Sequence, residues 1–141
     1  MPTKKRRKNE NDAVGEYHHV VLTSADQSDS TNEIQQMIEE CCKYIKQQHG
    51  ADWRESFFQK SLAFELQQRG YDVSIEVAYP VYYTSTTGKK TSVGNIFLDI
   101  LTPDFAIECK IGNIGKIRAS SVQQAKLYSS IIGKPCFLVF S

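Results

Sequence analysis

The sequence predicts an α/β fold: a central mixed β-sheet flanked by helices. Three observations point to it. Two stretches with helical apolar spacing come early, near residues 30–50 and 52–70. Two period-2 segments then meet at Thr102-Pro103-Asp104. A further helical stretch separates the second of these from a last apolar segment, Cys136 to Phe140. A strand–helix–strand crossover makes the two strands it joins parallel, so the sheet has neighbours of both kinds.

The chain has 141 residues, enough for one domain, and 40% hydrophobic residues, enough for a core. A net charge of +1 excludes binding nucleic acid by bulk charge alone, while leaving room for a local basic groove. No apolar run approaches the ~20 residues of a membrane span, so no membrane association is expected. The N-terminus lacks the apolar segment of a secretory signal. Cys41, Cys42, Cys109 and Cys136 contain no C-x-x-C pair, which excludes the usual zinc and iron–sulfur spacings. Reduced, partly buried thiols are expected, consistent with an intracellular protein.

Residues 1–30 read as a disordered tail and 31–141 as one folded domain. Lys4, Lys5, Arg6, Arg7 and Lys8 form a basic run. It reads as a nuclear localisation signal, a phosphate-binding arm or a merely solvated tail. The first helix should begin near Ser30, with Ser30 and Glu33 as a capping box. Ile34, Met37, Ile38, Cys41 and Ile45 make its apolar stripe, and His49-Gly50 ends it.

The second helix should run from about Asp52 to Arg69, closed by Gly70. Phe58, Leu62 and Leu66 share one face; Trp53, Phe57 and Phe64 share the opposite one, which predicts a helix buried on two sides. Glu55 heads the Phe58 face. It is either the third residue of a capping box with Asp52 or a functional acid. Val73 to Tyr79 alternate as a strand, Pro80 interrupts, and Val81 to Thr84 resume. Thr87 to Lys90 read as a turn. Ser120 or Ser121 caps a third helix that ends at Gly133, with Gln124 and Tyr128 on one face.

The central stretch is Asp99 to Lys110. If Pro103 and Asp104 form a two-residue loop, Thr102 lies opposite Phe105 and Asp99 opposite Glu108, with Lys110 further along the same face. Two apposed carboxylates repel, so one stays protonated or a cation sits between them. Hard oxygen ligands suit Mg²⁺ or Mn²⁺. Such an ion would activate water and stabilise charge on a phosphoryl oxygen. The competing reading is a salt bridge between Glu108 and Lys110 at a solvated sheet surface.

Taken together, these residues resemble the PD-(D/E)xK nuclease superfamily, in particular the small proteins named for a GxxExxY motif and the RecB-like branch. The resemblance runs from about Asp52 to Ser141. Its helical acid falls on Glu55, its aspartate on Asp99, its E-x-K on Glu108-Cys109-Lys110, and its Q-x-x-x-Y on Gln124 to Tyr128. Asp52 and Phe58 stand where GxxExxY has its glycine and tyrosine.

The resemblance implies a restriction endonuclease-like core and a metal-dependent deoxyribonuclease acting in DNA repair, recombination or replication. It implies that Asp99, Glu108 and the Cys109 carbonyl bind Mg²⁺ or Mn²⁺, and that Lys110 activates water. Glu55 would add a carboxylate. Gln124 and Tyr128 would hold the metal-site water or the DNA backbone, and Lys116 and Arg118 are cations for the same DNA. DNA is the implied partner, and a homodimer or a protein partner suits so small a domain. The alternative is a nuclease-fold module without activity that binds DNA or a protein.

The basic run yields one direct test. Residues 1–12 fused to a fluorescent reporter are expected to concentrate it in a eukaryotic nucleus. A uniformly spread reporter would leave only the phosphate-binding or inert readings.

Overall fold

A computed structural model of the chain describes residues 19–24, 28–49, 54–110 and 119–140. The elements are β1 (His19–Leu22), α1 (Asp29–His49), α2 (Glu55–Gln68), β2 (Ser74–Thr84), β3 (Lys90–Leu101), β4 (Ala106–Lys110), α3 (Ala119–Ile132) and β5 (Cys136–Phe140). The strands form one five-stranded sheet in the order β1-β5-β4-β3-β2. The β4–β5 pair is parallel, as the α3 crossover requires, and the other pairs are antiparallel. Among the described residues no helix is long and apolar enough to cross a membrane.

Each face of the sheet carries its own core. On one side Ile38, Cys41 and Ile45 of α1 and Phe58, Leu62 and Leu66 of α2 pack with Ile100, Ile107, Phe137 and Val139. Phe105 lies edge-on to both Tyr71 and Phe137, with ring centroids 5.2 and 5.9 Å away. On the other side Ala125 and Ile132 of α3 meet Ile96, Leu98, Ala106 and Cys136. Every residue of β5 is buried. Its unbroken Cys-Phe-Leu-Val-Phe run is what a strand covered on both faces requires. All four cysteines are free and buried.

Several expectations are corrected. Residues 19–22, placed in the tail, form β1 and pair with β5. Gln35 of α1 ties them down by donating to the Val20 carbonyl at 3.0 Å. Those partners are distant in sequence, so four residues alone carried no strand signal. Residues 1–18, with the basic run, lie outside the described residues. The cap of α1 is Ser28, whose Oγ accepts the Thr31 N–H at 3.3 Å, not Ser30. The first turn of α3 starts at Ala119, so Ser120 and Ser121 lie inside it.

Helix α2 is buried on one side only. Phe57 and Phe64 are exposed, and Phe64 borders an open groove with Tyr44 of α1. Trp53 lies outside the described residues. Pro80 does not interrupt β2, which runs through it and pairs it with Asn95. Because β2 is an edge strand, a residue without an N–H is tolerated where that group would have faced solvent. The turn at the far end closes as Ser85 N–H donates to the Lys89 carbonyl, and Lys90 is already the first residue of β3.

The long β2–β3 hairpin changes face midway. Ile100 packs under α1 and α2, whereas Leu98 and Ile96, of the same parity, pack under α3. Val73, just before β2, and Val77 within it divide in the same way. The pairs Ile75↔Ile100 and Val77↔Leu98 flank the switch, and Glu76 and Asp99 between them are unpaired. Glu76 has φ 52°, the only positive φ outside glycine among the described residues.

Left-handed backbone costs a residue with a Cβ about 1–2 kcal/mol. Glu76 already carries that cost, so Glu76→Val should destabilise further by up to about 1 kcal/mol although valine favours strands, because a β-branched residue tolerates this φ worst. Glu76→Gly should be nearly neutral. Urea denaturation midpoints at unchanged slope would check both.

Candidate active site

The site is built where the β3–β4 ladder gives out. Buried Thr102 sets the turn: its Oγ1 accepts the N–H groups of Asp104 and Phe105 at 3.1 and 3.0 Å. Its own N–H donates to the Phe105 carbonyl at 2.9 Å. Pro103 and Asp104 are thus a two-residue loop, and the register Leu101↔Ala106, Ile100↔Ile107 follows. One step on, Asp99 faces Glu108, and side chains replace the ladder. The Asp99 N–H donates to Glu108 Oε2 at 3.0 Å, and the Cys109 N–H donates to Asp99 Oδ2 at 2.8 Å. Each carboxylate holds the backbone of the opposite strand.

Glu108 is 5% exposed. Burial, then the negative charge of Asp99, pushes its carboxyl up to about 7 from 4.5. Burial also raises Asp99, against the Cys109 N–H and the Lys110 ammonium, which both favour its charged form. The solvated salt bridge between Glu108 and Lys110 is excluded, because Glu108 is buried and no ion pair joins the two among the described residues.

Glu55, Lys110 and Tyr128 surround this pair. Lys110 lies within electrostatic reach of both carboxylates, and the charge of Glu55 reaches Glu108 and Cys109. Glu55 is the first residue of α2, with Arg54 in the cap position and no side-chain cap bond, so the expected capping box is not the one α2 uses. Asp52 lies outside the described residues. Gln124 donates to the Tyr128 hydroxyl at 3.0 Å. Burial and then the Glu108 charge raise the Tyr128 phenol, which sets that pair beside the carboxylates. Lys116 and Arg118 lie outside the described residues.

Two residues escaped the sequence reading. Buried Gln59, one helical turn after Glu55, makes a long 3.4 Å hydrogen bond to the Asp99 carbonyl. A polar residue beside the Phe58/Leu62 stripe was its only signal. Glu76, opposite Asp99, adds negative charge there, and no local composition marks its backbone.

Among the described residues no group of three His, Cys, Asp or Glu side chains is placed to hold a metal. The donor set is two carboxylates plus backbone. One oxygen of each carboxylate is engaged by an N–H, and the other carries no hydrogen bond among the described residues. That set fits a hard cation that keeps part of its water shell, since Mg²⁺ is usually held by one or two carboxylates.

A folded-state carboxyl raised above its unfolded value makes the folded chain the stronger proton binder between about 4.5 and about 7. Stability therefore falls as pH rises through that window. Metal-free Glu108→Gln cannot ionise, and its amide oxygen still accepts the Asp99 N–H. It should be more stable than the parent by roughly 1–3 kcal/mol above about pH 8, and equal to it below about pH 4. Denaturant titrations at the two pH values would check this.

A family model described as the PD-(D/E)XK nuclease superfamily matches residues 32–140. No curated protein and no solved structure matches the chain. The five-stranded mixed sheet between helices agrees with a restriction endonuclease-like fold. With a match over most of its length and two apposed carboxylates at the break in its sheet, the chain belongs to the PD-(D/E)XK nuclease superfamily.

Proposed function

We propose that the protein is a Mg²⁺- or Mn²⁺-dependent deoxyribonuclease acting in DNA repair, recombination or replication. The observation that carries this reading is the Asp99–Glu108 pair, buried at Glu108 and half-buried at Asp99, with Lys110 within electrostatic reach of both. When bound, the cation supplies a polarised water and neutralises charge on the phosphoryl oxygens. Asp99, Glu108 and the Cys109 carbonyl would hold it. Lys110 orients the attacking water and offers a positive charge where the phosphate turns more negative.

Glu55, at the head of α2, supplies a further carboxylate, directly or through water. Gln124 fixes the Tyr128 hydroxyl, and the pair holds the water or the DNA backbone. This hydrogen-bonded pair is also what supports a place near the RecB-like branch. Lys116 and Arg118 are proposed as phosphate contacts, and the basic run Lys4 to Lys8 as a nuclear address. A homodimer or a protein partner would add recognition surface.

Two measurements test the reading. In calorimetric titration, Asp99→Ala should abolish saturable Mn²⁺ binding while leaving the fold intact; unchanged affinity would remove the site. In cleavage of labelled linear, circular, single-stranded and branched DNA, Lys110→Met should be inactive. Glu55→Gln should lose at least ~100-fold, the lower range of an acid–base contribution. It should lose less than about 1 kcal/mol of stability, the scale of a charge at a helix N-terminus. Full cleavage by both variants would assign the cleavage to a contaminant and leave a binding module without activity of its own.

A further inference from the structure

Beyond the switch at Glu76 and Asp99, the β2–β3 hairpin projects from the sheet with little to cover it. Tyr82 and Tyr83 are 58% and 57% exposed, and their cross-strand partners are small, Ser92 and Thr91. From Val77 to Leu98 the chain has no Asp or Glu, and its only charges are Lys89 and Lys90. Both lysines are exposed at the tip. The tip is ordered by its own bonds: Ser85 Oγ accepts the N–H groups of Thr87 and Lys89 at 3.2 and 3.3 Å. In a chain with 16 acidic residues, a 22-residue stretch without one is a local cationic field, not an average property.

At the root of the hairpin a groove of about 520 Å³ is lined by Tyr79, Pro80, Val81, Tyr82 and Ile131 of α3. Tyr79, Ile131 and Tyr128 pack against the same core cluster, and Tyr128 sits beside Glu108. The groove at Tyr82 therefore borders α3, the helix whose Tyr128 lies within electrostatic reach of the carboxylates. The arm itself spans roughly 25 Å from Asp99 to Thr91 at strand rise.

We propose that this hairpin and groove take up an unpaired DNA strand and lead it to the Asp99–Glu108 site. The inference rests on the nuclease reading and deepens it by naming the substrate class. Exposed tyrosines offer faces on which bases stack, and only unpaired bases present both of theirs. Lys89, Lys90 and the Ser and Thr hydroxyls around them suit phosphates. A second copy of the chain fits less well. Pairing along the β2 edge is opposed by the left-handed Glu76, by Pro80 and by the irregularity at Val81/Tyr82, the devices that keep an edge strand from adding a neighbour.

The test is fluorescence anisotropy of labelled oligo-dT, and of a blunt duplex, with the full chain in EDTA. The chain should prefer oligo-dT. Tyr82→Ala/Tyr83→Ala should weaken it at least ~10-fold, while Tyr82→Phe/Tyr83→Phe should not, because stacking needs the ring and not the hydroxyl. Lys89→Ala/Lys90→Ala should lower the logarithmic salt slope by about 1.4, two contacts at ~0.7 each on a single strand.

Equal affinity of the alanine and parent proteins for oligo-dT would overturn the proposal. So would a parent that sediments as a dimer while the alanine variant is monomeric and binds DNA normally. Mn²⁺-dependent cleavage of the same strand separates the two readings. Cleavage that needs Lys110 but not the tyrosines removes the strand track and keeps the nuclease. Tyrosine-dependent binding without any cleavage keeps the track and removes the nuclease.

Discussion

The structure turns on a reciprocal exchange across β3 and β4: each carboxylate of the Asp99–Glu108 pair accepts a backbone N–H from the opposite strand. A hydrogen bond to a charged group is worth roughly 1.5–3 kcal/mol. Removing an ion from water costs several kcal/mol even after relaxation. One N–H apiece therefore leaves the buried Glu108 and the half-buried Asp99 incompletely compensated, and the raised Glu108 carboxyl is the expression of that deficit. Positive charge closes it. Lys110 supplies part, from the end of β4, and under the proposed function a divalent cation would supply the remainder.

That exchange dictates distortions further out. An Asp99 N–H committed to Glu108 is no longer available to β2, so the residue opposite, Glu76, drops out of the ladder. Its left-handed backbone lets β2 follow the face change of β3. Strain at one exposed glutamate is thus coupled to the placement of the Asp99–Glu108 pair. Behind them, Phe105 and Phe137 make the floor that keeps the β4–β5 pair in place. Gln59 steadies the Asp99 carbonyl from α2.

What the sequence made legible follows range of interaction. The apposition of Asp99 and Glu108 was readable because a tight turn separates them, and Thr102-Pro103-Asp104 admits few geometries. The parallel β4–β5 pair was readable because a crossover helix leaves one outcome. β1 was not, because its hydrogen bonds come from Cys136 to Phe140 at the other end of the chain. Helix starts moved by two or three residues, since serines and aspartates near Ser28 and Arg54 compete as caps at similar energies. Exposure of Phe57 and Phe64 was unreadable, as periodicity assigns faces to a helix and not neighbours to a face. The left-handed Glu76 has no compositional mark at all.

The distribution of charge along two strands divides the labour of the molecule. At the root of the hairpin, Glu76, Asp99 and Glu108 crowd together and repel a phosphate unless a cation intervenes. Toward the tip the same strands carry Lys89 and Lys90 and no acid. If the chain takes up nucleic acid as proposed, a polyanion would meet the arm more readily than the root, where the carboxylates must first be neutralised. The small net charge suits this arrangement: a chain basic overall would hold nucleic acid anywhere on its surface. Under the proposed reading the acid-free arm is one place of attraction for such a partner, and the switch at Glu76 and Asp99 marks where the hairpin passes from that arm to the carboxylates.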